Sequence, residues 1–572
     1  MEASIDIPHL VDTKRSKQLI VKGKPFLMRA GELQNSSLTS PEYMAPVWQK
    51  MADTNINTLL GCVTWEMIEP EEDRFDFSVL DEIILAARSH SMHLVLLWFG
   101  SFKNGLSTYV PAWVKTDTKR FPRAKLRKAG GRLETADVLS LFSPEGRKAD
   151  AKAFGQLMQH LRDFDASHST VLMVQVENES GLLGDSRDGS SMADKVFHGA
   201  VPAEFVEFLS SNWDRLHPDM RHHNLARFNP QQQQQQPSTG GSGSWESVFG
   251  VGPRTDELFM AFHYALYVNE IAAAGKKTYA IPHYTNVWMN YAGEDTENDF
   301  PVVVGGGGIP GDYPSGGPVS NVLDVWMRFA PELDFIGPDI YLTDYSRSCA
   351  KYRHNGQPLF VPEQRRDEYG ARRIWIAYGT HAAIGVAPFG VDTVEPSESA
   401  FTKHYALLKS VSAIVLEAQC RPGASVGFCF DELPDGALPD RLNNDVVRWA
   451  SGDFELIIER SHVFGKPGPG AGMVIHRGNG KFLLIGWGFQ VRAESVAQGS
   501  TFTGILEFQE KAVEDEETGR LRTVRVLNGD ETRSGKFAVM PNEDPDYGGF
   551  PISVTIPART MIAEVSFYSV TD

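Results

Sequence analysis

From Phe26 onward, short apolar runs alternate with amphipathic helical stretches, and this alternation limits the folds open to the chain. Ser40-Pro41 sets an N-cap and a first-turn proline ahead of Ala45, Trp48 and Met51 at helical spacing, and Asn57-Thr58-Leu59-Leu60 then reads as a buried strand. Leu80, Ile83, Ile84 and Ala87 form a helical stripe before the run 94–97. Phe154, Leu157, Met158 and Leu161 repeat that stripe before the run 171–176. A helix predicted over 255–275 feeds Thr278-Tyr279-Ala280-Ile281, and the runs 333–336, 358–361 and 383–386 follow. With Phe26-Leu27-Met28 as the first strand, the count reaches eight. Eight strands that each need a helical return close more economically as a (β/α)₈ barrel than as an open sheet, with the chemistry at the strands' C-terminal ends.

After a helix predicted over 397–419 the pattern changes to short strands, among them Phe454–Ile458, Lys481–Ile485 and Ile552–Ile556, with no long helix between them. That pattern predicts an all-β, sandwich-like region packed on the barrel. The organisation expected is a catalytic barrel over 1–424 and a β-rich domain over 425–572. Within the barrel, residues 229–244 carry six consecutive glutamines and a Gly/Ser-rich tail, the composition of a solvated loop insertion.

A formal net charge of -18 is repelled by nucleic acid and by anionic membranes but not by a neutral ligand. The first twenty residues are broken by charges, so no signal peptide is read there, and no run reaches the roughly 18 apolar residues of a membrane span. Cys62, Cys349, Cys420 and Cys429 are scattered, with neither disulfide nor zinc spacing, which fits a cytoplasmic protein with reduced thiols. The expected partner is a neutral molecule, without nucleic acid, membrane, metal or organic cofactor; self-association into a homo-oligomer is compatible with the sequence and not required by it.

Two glutamates stand where barrel strands should end: Glu179, in Gln175-Val176-Glu177-Asn178-Glu179, and Glu363, in Phe360-Val361-Pro362-Glu363. A retaining glycosidase uses one carboxylic acid to protonate the leaving oxygen and one carboxylate to attack the anomeric carbon, about 5 to 5.5 Å apart, and strands facing across a small barrel provide that separation. Glu179 is assigned the acid/base role and Glu363 the nucleophile, with Asn178 placed to bond a sugar hydroxyl. In an extended strand Glu177 and Glu179 share a face, so alternation does not choose between them.

The segments 174–181 and 358–364, with Thr64-Trp65-Glu66-Met67-Ile68-Glu69-Pro70 and Arg74-Phe75-Asp76-Phe77, resemble glycoside hydrolase family 35 within the clan of retaining barrel hydrolases. The segments 97–104 and 109–113 resemble the branch with a β-rich C-terminal domain. The resemblance implies a retaining β-galactosidase acting on terminal β-D-galactosyl residues of oligosaccharides or plant-derived side chains, an Asn-Glu acid/base after the fourth strand and a nucleophilic Glu after the seventh. Where many members carry an acidic sugar-binding residue after the third strand, this chain reads Trp98-Phe99-Gly100-Ser101-Phe102-Lys103-Asn104. Glu32, after the first strand, is the nearest replacement carboxylate, an internal salt bridge being the equal alternative. Asn104, Trp98, Trp288 and Tyr341 complete the candidate sugar-binding set, the aromatics because their flat faces suit sugar C–H surfaces. His283 and His381 lack a third metal ligand at suitable spacing and read as packing residues. The glycine-rich stretch 305–317 lacks a phosphate-loop arrangement and reads as a loop over the barrel mouth.

Within the same chemistry, a β-glucosidase, a β-glucosaminidase or a transglycosylase would differ in the sugar pocket rather than in the two glutamates. A catalytically silent sugar-binding protein is the reading from another class, and the presence of both glutamates argues against it. Deleting residues 231–243 should leave the melting temperature of the protein within a degree or two, because a solvated loop contributes few buried contacts. A drop of many degrees in a thermal melt would show that the segment packs.

Overall fold

The computed structural model describes residues 6–230, 243–291, 306–433, 446–461, 468–542 and 557–571. Most of the glutamine-rich insertion and the predicted strand Ile552–Ile556 lie outside the described residues.

Eight parallel strands form the centre: β1 Met28–Glu32, β2 Thr58–Thr64, β3 His93–Lys103, β4 Val171–Asn178, β5 His283–Trp288, β6 Phe335–Asp339, β7 Phe360–Gln364 and β8 Gly385–Pro388. Their order in the sheet is β6-β5-β4-β3-β2-β1-β8-β7. The edges meet through one parallel bridge, Ile340 with Gln364, where the Ile340 N–H donates to the Glu363 carbonyl at 2.9 Å. Each edge strand carries a proline, Pro338 and Pro362, which has no N–H to give a ladder, and the seam is correspondingly thin. Asp339 and Glu363 sit at this seam.

The outer helices bury the stripes read from the sequence. Helix α1, Ser78–Ser89, buries Leu80, Ile83, Ile84 and Ala87; α2, Pro144–Asp165, buries Phe154, Leu157, Met158 and Leu161. Inside the barrel, Met28, Ala30, Leu60, Val95, Leu97, Tyr284, Phe335 and Phe360 share a cluster with Leu19 and Val21 of the N-terminal hairpin. That hairpin packs into the barrel interior from the end away from Glu179 and Glu363.

Two strand positions differ from the reading of the sequence. Phe26 closes the hairpin with the strand Lys17–Val21, and β1 begins at Met28. The fifth strand is His283–Trp288 and not Thr278–Ile281, because helix α3, Pro253–Thr278, runs to the start of that run and Pro282 separates the two. Hydrophobic patterning overlooked His283-Tyr284-Thr285-Asn286-Val287-Trp288 because buried polar side chains occupy both of its faces, His283 against Phe154 of α2 and Asn286 at the barrel mouth.

Beyond α4, Glu368–Trp375, and α5, Phe401–Gln419, lie a six-stranded and a four-stranded antiparallel sheet. The strands Gly470–Gly478 and Lys481–Trp487 alternate between two cores. Val474, Phe482 and Leu484 join the β region's own cluster, whereas Met473, Ile475, Leu483, Ile485 and Trp487 join the barrel's. Arg373 Nη2 pairs with Asp431 Oδ2 at 2.6 Å, and Thr380 and Gly427 exchange hydrogen bonds of 2.9 and 3.0 Å. No described helix is long and apolar enough to cross a membrane.

Gly427 approaches the barrel so closely that a Cβ would overlap the Trp375 carbonyl oxygen, a rigid backbone atom. Gly427→Ala should therefore destabilise the protein by about 1–3 kcal/mol or more. An unchanged melting temperature would mean that the two regions separate without cost.

Candidate active site

The C-terminal ends of the barrel strands gather buried charged groups: Glu32 from β1, Lys103 from β3, Glu179 just past β4, Asp339 at the end of β6 and Glu363 in β7. Charges at that depth are unfavourable unless hydrogen-bonded, paired or neutralised by a proton. How each is satisfied defines what the site can do.

Glu363 receives the most donors. Asn178 Nδ2 at 3.3 Å and Asn286 Nδ2 at 3.1 Å reach Oε1, and the Tyr341 hydroxyl at 3.0 Å reaches Oε2. Donors aimed at both oxygens favour the carboxylate, the form a nucleophile needs. Asn178 is in turn held by Lys103 Nζ, 2.8 Å from its Oδ1. Burial works against the Lys103 cation, but the charges of Glu363, Glu179 and Glu32 outweigh it, and the ammonium is held above the ordinary lysine range.

Glu179 has the contrary environment. Its backbone N–H donates to Asn286 Oδ1 at 2.9 Å, while burial first and the charge of Glu363 second push its carboxyl up to about 7, against the opposing influence of Lys103. It is therefore protonated below about that pH and ionised above it. One oxygen of Glu179, one of Glu363 and one of Asp339 lie within 4.8 Å of one another. These three carboxyls, with Trp288, Met289, Tyr291, Tyr341, Leu342 and Thr343, line a cavity of about 170 Å³. Such a space is smaller than most ligand pockets and suits a single sugar ring.

The choice between Glu177 and Glu179 is made by the backbone. Both have left-handed conformations, φ of 61° and 45°, which ends the strand's alternation. Glu177 turns beneath the site, where it accepts the N–H groups of Ser101 and Phe102 at 3.0 and 2.8 Å and faces the buried Asp150; Glu179 turns into the cavity.

Trp98 is not a sugar platform. It is fully buried, donates its indole N–H to Asp150 at 2.9 Å and packs on Phe154, so it presents no face to the cavity. A residue inside a barrel strand points either to the interior or to the helices, and Trp98 points to the helices. Trp288 and Tyr341 do line the cavity. Glu32 is completely buried, and neither of its carboxylate oxygens has a hydrogen-bond partner, which leaves the salt-bridge alternative without support. Burial first, then the charge of Glu363, raises Glu32 well above the ordinary carboxylate range. Asn104 has φ of 54° at the end of β3, with its Oδ1 buried and unpartnered. His283 is buried, with Nδ1 2.7 Å from the Ile281 carbonyl oxygen, as expected of a packing histidine. In the described part of the glycine-rich stretch, Gly307 accepts the N–H of the cavity residue Tyr291 at 3.0 Å.

Asn286, Asp339 and Lys103 escaped the reading of the sequence as site residues. Asn286 lies on the strand misplaced there, and Lys103 was noted only as a departure. Asp339 stands two residues before Tyr341, which was named. Among the described residues, Glu179, Asp339 and Glu363 are the only trio placed to offer three ligand atoms to a cation. The amide of Asn286 donates to two of them, Asp339 at 2.8 Å and Glu363 at 3.1 Å.

Residues 39–216 match a family described as beta-galactosidase, glycoside hydrolase 42, and residues 401–539 match a domain of unknown function, DUF5597. The first match thus falls on family 42 and not on family 35, which the motifs resemble; the clan is consistent with both. It takes in Lys103, Asn178 and Glu179 but not Glu363. None of the curated proteins compared matches the chain. Similar solved structures include the beta-galactosidases of Bacillus circulans sp. alkalophilus (16% identity, TM-score 0.43) and Rahnella sp. R3 (16%, 0.42), each covering 68% of this chain and 57% of the other. The catalytic domain of beta-amylase from Paenibacillus polymyxa is 12% identical with a TM-score of 0.44, covering 66% of this chain and 97% of that one. The chain thus spans a little over half the length of those beta-galactosidases.

Lys103 favours the ionised form of Glu179, so removing the cation raises the pH at which that carboxyl titrates. In Lys103→Met the Glu179 titration, followed by carbon NMR of labelled glutamate side chains, should move above the value near 7. A downward move would mean that the ammonium does not act on this carboxyl.

Proposed function

We propose that this chain is a retaining exo-β-glycosidase, a β-galactosidase that hydrolyses terminal β-D-galactosyl residues of oligosaccharides or plant-derived side chains by double displacement. Residues 1–424 form its catalytic part and 425–572 an accessory β region. The observation that carries the reading is the pair Glu179 and Glu363, with carboxyl oxygens within 4.8 Å of each other and opposite environments in one small cavity. A separation this short fits direct attack by a carboxylate; an inverting enzyme needs roughly 6.5–9.5 Å to admit a water. The match of residues 39–216 to a β-galactosidase family supports the same reading.

In the first step Glu179 donates its proton to the glycosidic oxygen as that bond to C1 breaks, and Glu363 Oε forms a bond to C1. In the second, water attacks C1, its proton passes to Glu179, and the bond to Glu363 breaks. Tyr341, Asn178 and Asn286 hold the attacking carboxylate in place. Trp288 offers the sugar an aromatic face, while Glu32 and Asn104, with buried, unpartnered oxygens, are not among the residues that line the cavity.

Substitution separates the two roles. Glu363→Ala should abolish turnover of every nitrophenyl β-glycoside in a panel that spans galactoside, glucoside and N-acetylglucosaminide. Glu179→Ala should still be glycosylated by substrates with good leaving groups and then stall, losing roughly 10²–10⁴-fold in turnover. Azide should rescue it with a β-glycosyl azide product, and should give the α-azide from the Glu363 variant. The same anomer from both variants, or an inverted product from the unaltered enzyme, would reject the mechanism; a preference for the glucoside would reject the galactosidase.

A further inference from the structure

Asp339 is the third carboxyl of the cavity and has no part in the two steps above. Its surroundings say which form it takes. Asn286 Nδ2 donates to Oδ2 at 2.8 Å, Oδ1 is buried and receives no donor, and one oxygen of Asp339 lies within 4.8 Å of one of Glu179 and one of Glu363. Two carboxylate oxygens both accept, so a hydrogen bond between the two groups needs a proton on one of them, and buried carboxyls this close repel double ionisation. The groups acting on Asp339 are mostly acidic: Glu363 from β7, Glu179 from β4 and Glu32 from β1, with the hydroxyls of Tyr284, Tyr341 and Tyr352 nearby in charge range. The cluster's cation, Lys103, is bonded to Asn178 and acts on Glu363, Glu179 and Glu32. The donors on Glu363 place the negative charge there.

We propose that Asp339 is a positioning residue that works as a carboxylic acid, keeping its proton through both steps and donating it as a hydrogen bond to Glu179. This rests on the reading of Glu179 as acid/base. In the resting site Glu363 is ionised while Glu179 and Asp339 each hold a proton. When Glu179 gives its proton to the glycosidic oxygen, Glu363 becomes an ester and loses its charge, and the new Glu179 carboxylate accepts the Asp339 O–H. When water attacks, Glu179 takes the water proton and Glu363 regains its charge. The trio carries a single negative charge at every stage, and the proton on Asp339 is neither consumed nor released. An ionised Asp339 would place a second charge against the carboxylate that must act as base.

Asn reproduces the acid, since its carbonyl accepts from Asn286 and its amide donates to Glu179; Ala reproduces neither. Asp339→Ala should slow deglycosylation about ten- to a hundredfold, measured as burst against steady state with a dinitrophenyl glycoside, and Asp339→Asn should recover most of that loss. The alkaline limb of the kcat/KM profile should stay in place in Asp339→Asn, since no charge has been removed. Infrared difference spectra of the unliganded protein at neutral pH should show one protonated carboxyl band lost from wild type to Asp339→Asn. Absence of that lost band, or an alkaline limb that moves down in Asp339→Asn as it would on removing an anion, overturns the proposal. The infrared result does not depend on any substrate. A wild-type protein inert toward every β-glycoside would sink the glycosidase reading while the band still reports the proton on Asp339.

Discussion

Everything at the barrel mouth follows from crowding acidic groups into a space where few can be ionised. Glu32, Glu179, Asp339 and Glu363 are buried there with Lys103 as the cation among the described residues of the cluster. Repulsion and burial together force the carboxyls into different protonation states, and hydrogen-bond donors decide which one keeps the charge. Asn286 is central to that decision, because one side chain accepts from the Glu179 backbone and donates to both Asp339 and Glu363. Lys103 acts one step further away, by fixing Asn178 against Glu363.

The scaffold supplies the crowding. Parallel strands bring their C-terminal ends to one rim, so residues far apart in sequence converge. The seam between β6 and β7 is where the ladder is thinnest, and it carries Asp339 and Glu363 on its two sides. Left-handed backbone at Glu177 and Glu179 then gives two neighbouring glutamates separate tasks, one bracing the backbone after β3 and one facing the cavity. Strain of this kind is held in place only by well-packed surroundings, here the hydrogen bonds on either side.

The β region is joined to the barrel by shared packing rather than by a tether. Alternate residues of the strands Gly470–Gly478 and Lys481–Trp487 belong to different cores, and Gly427 lies directly against the chain at Trp375. Stability of the barrel is thereby coupled to the presence of the β region, which makes it a structural partner of the barrel.

Apolar runs, helical stripes and the strands' tendency to end in chemistry were legible in the residues themselves, because burial imposes periodicity on sequence. The barrel, the β region, and Glu179 and Glu363 at strand ends followed from that periodicity and from the motifs around it. Tertiary structure alone decided the rest. The fifth strand is polar where it lines the mouth, so it lacks the periodic signal, and Asn286 was hidden with it. Trp98 turned out to face the helices because a strand's two faces look alike until register is fixed. Asp339 and Lys103 became part of the site only when closure of the barrel brought strands β3, β4, β6 and β7 to one rim. Protonation is a property of that assembly, since it depends on distances between charges that sequence separates by up to hundreds of residues.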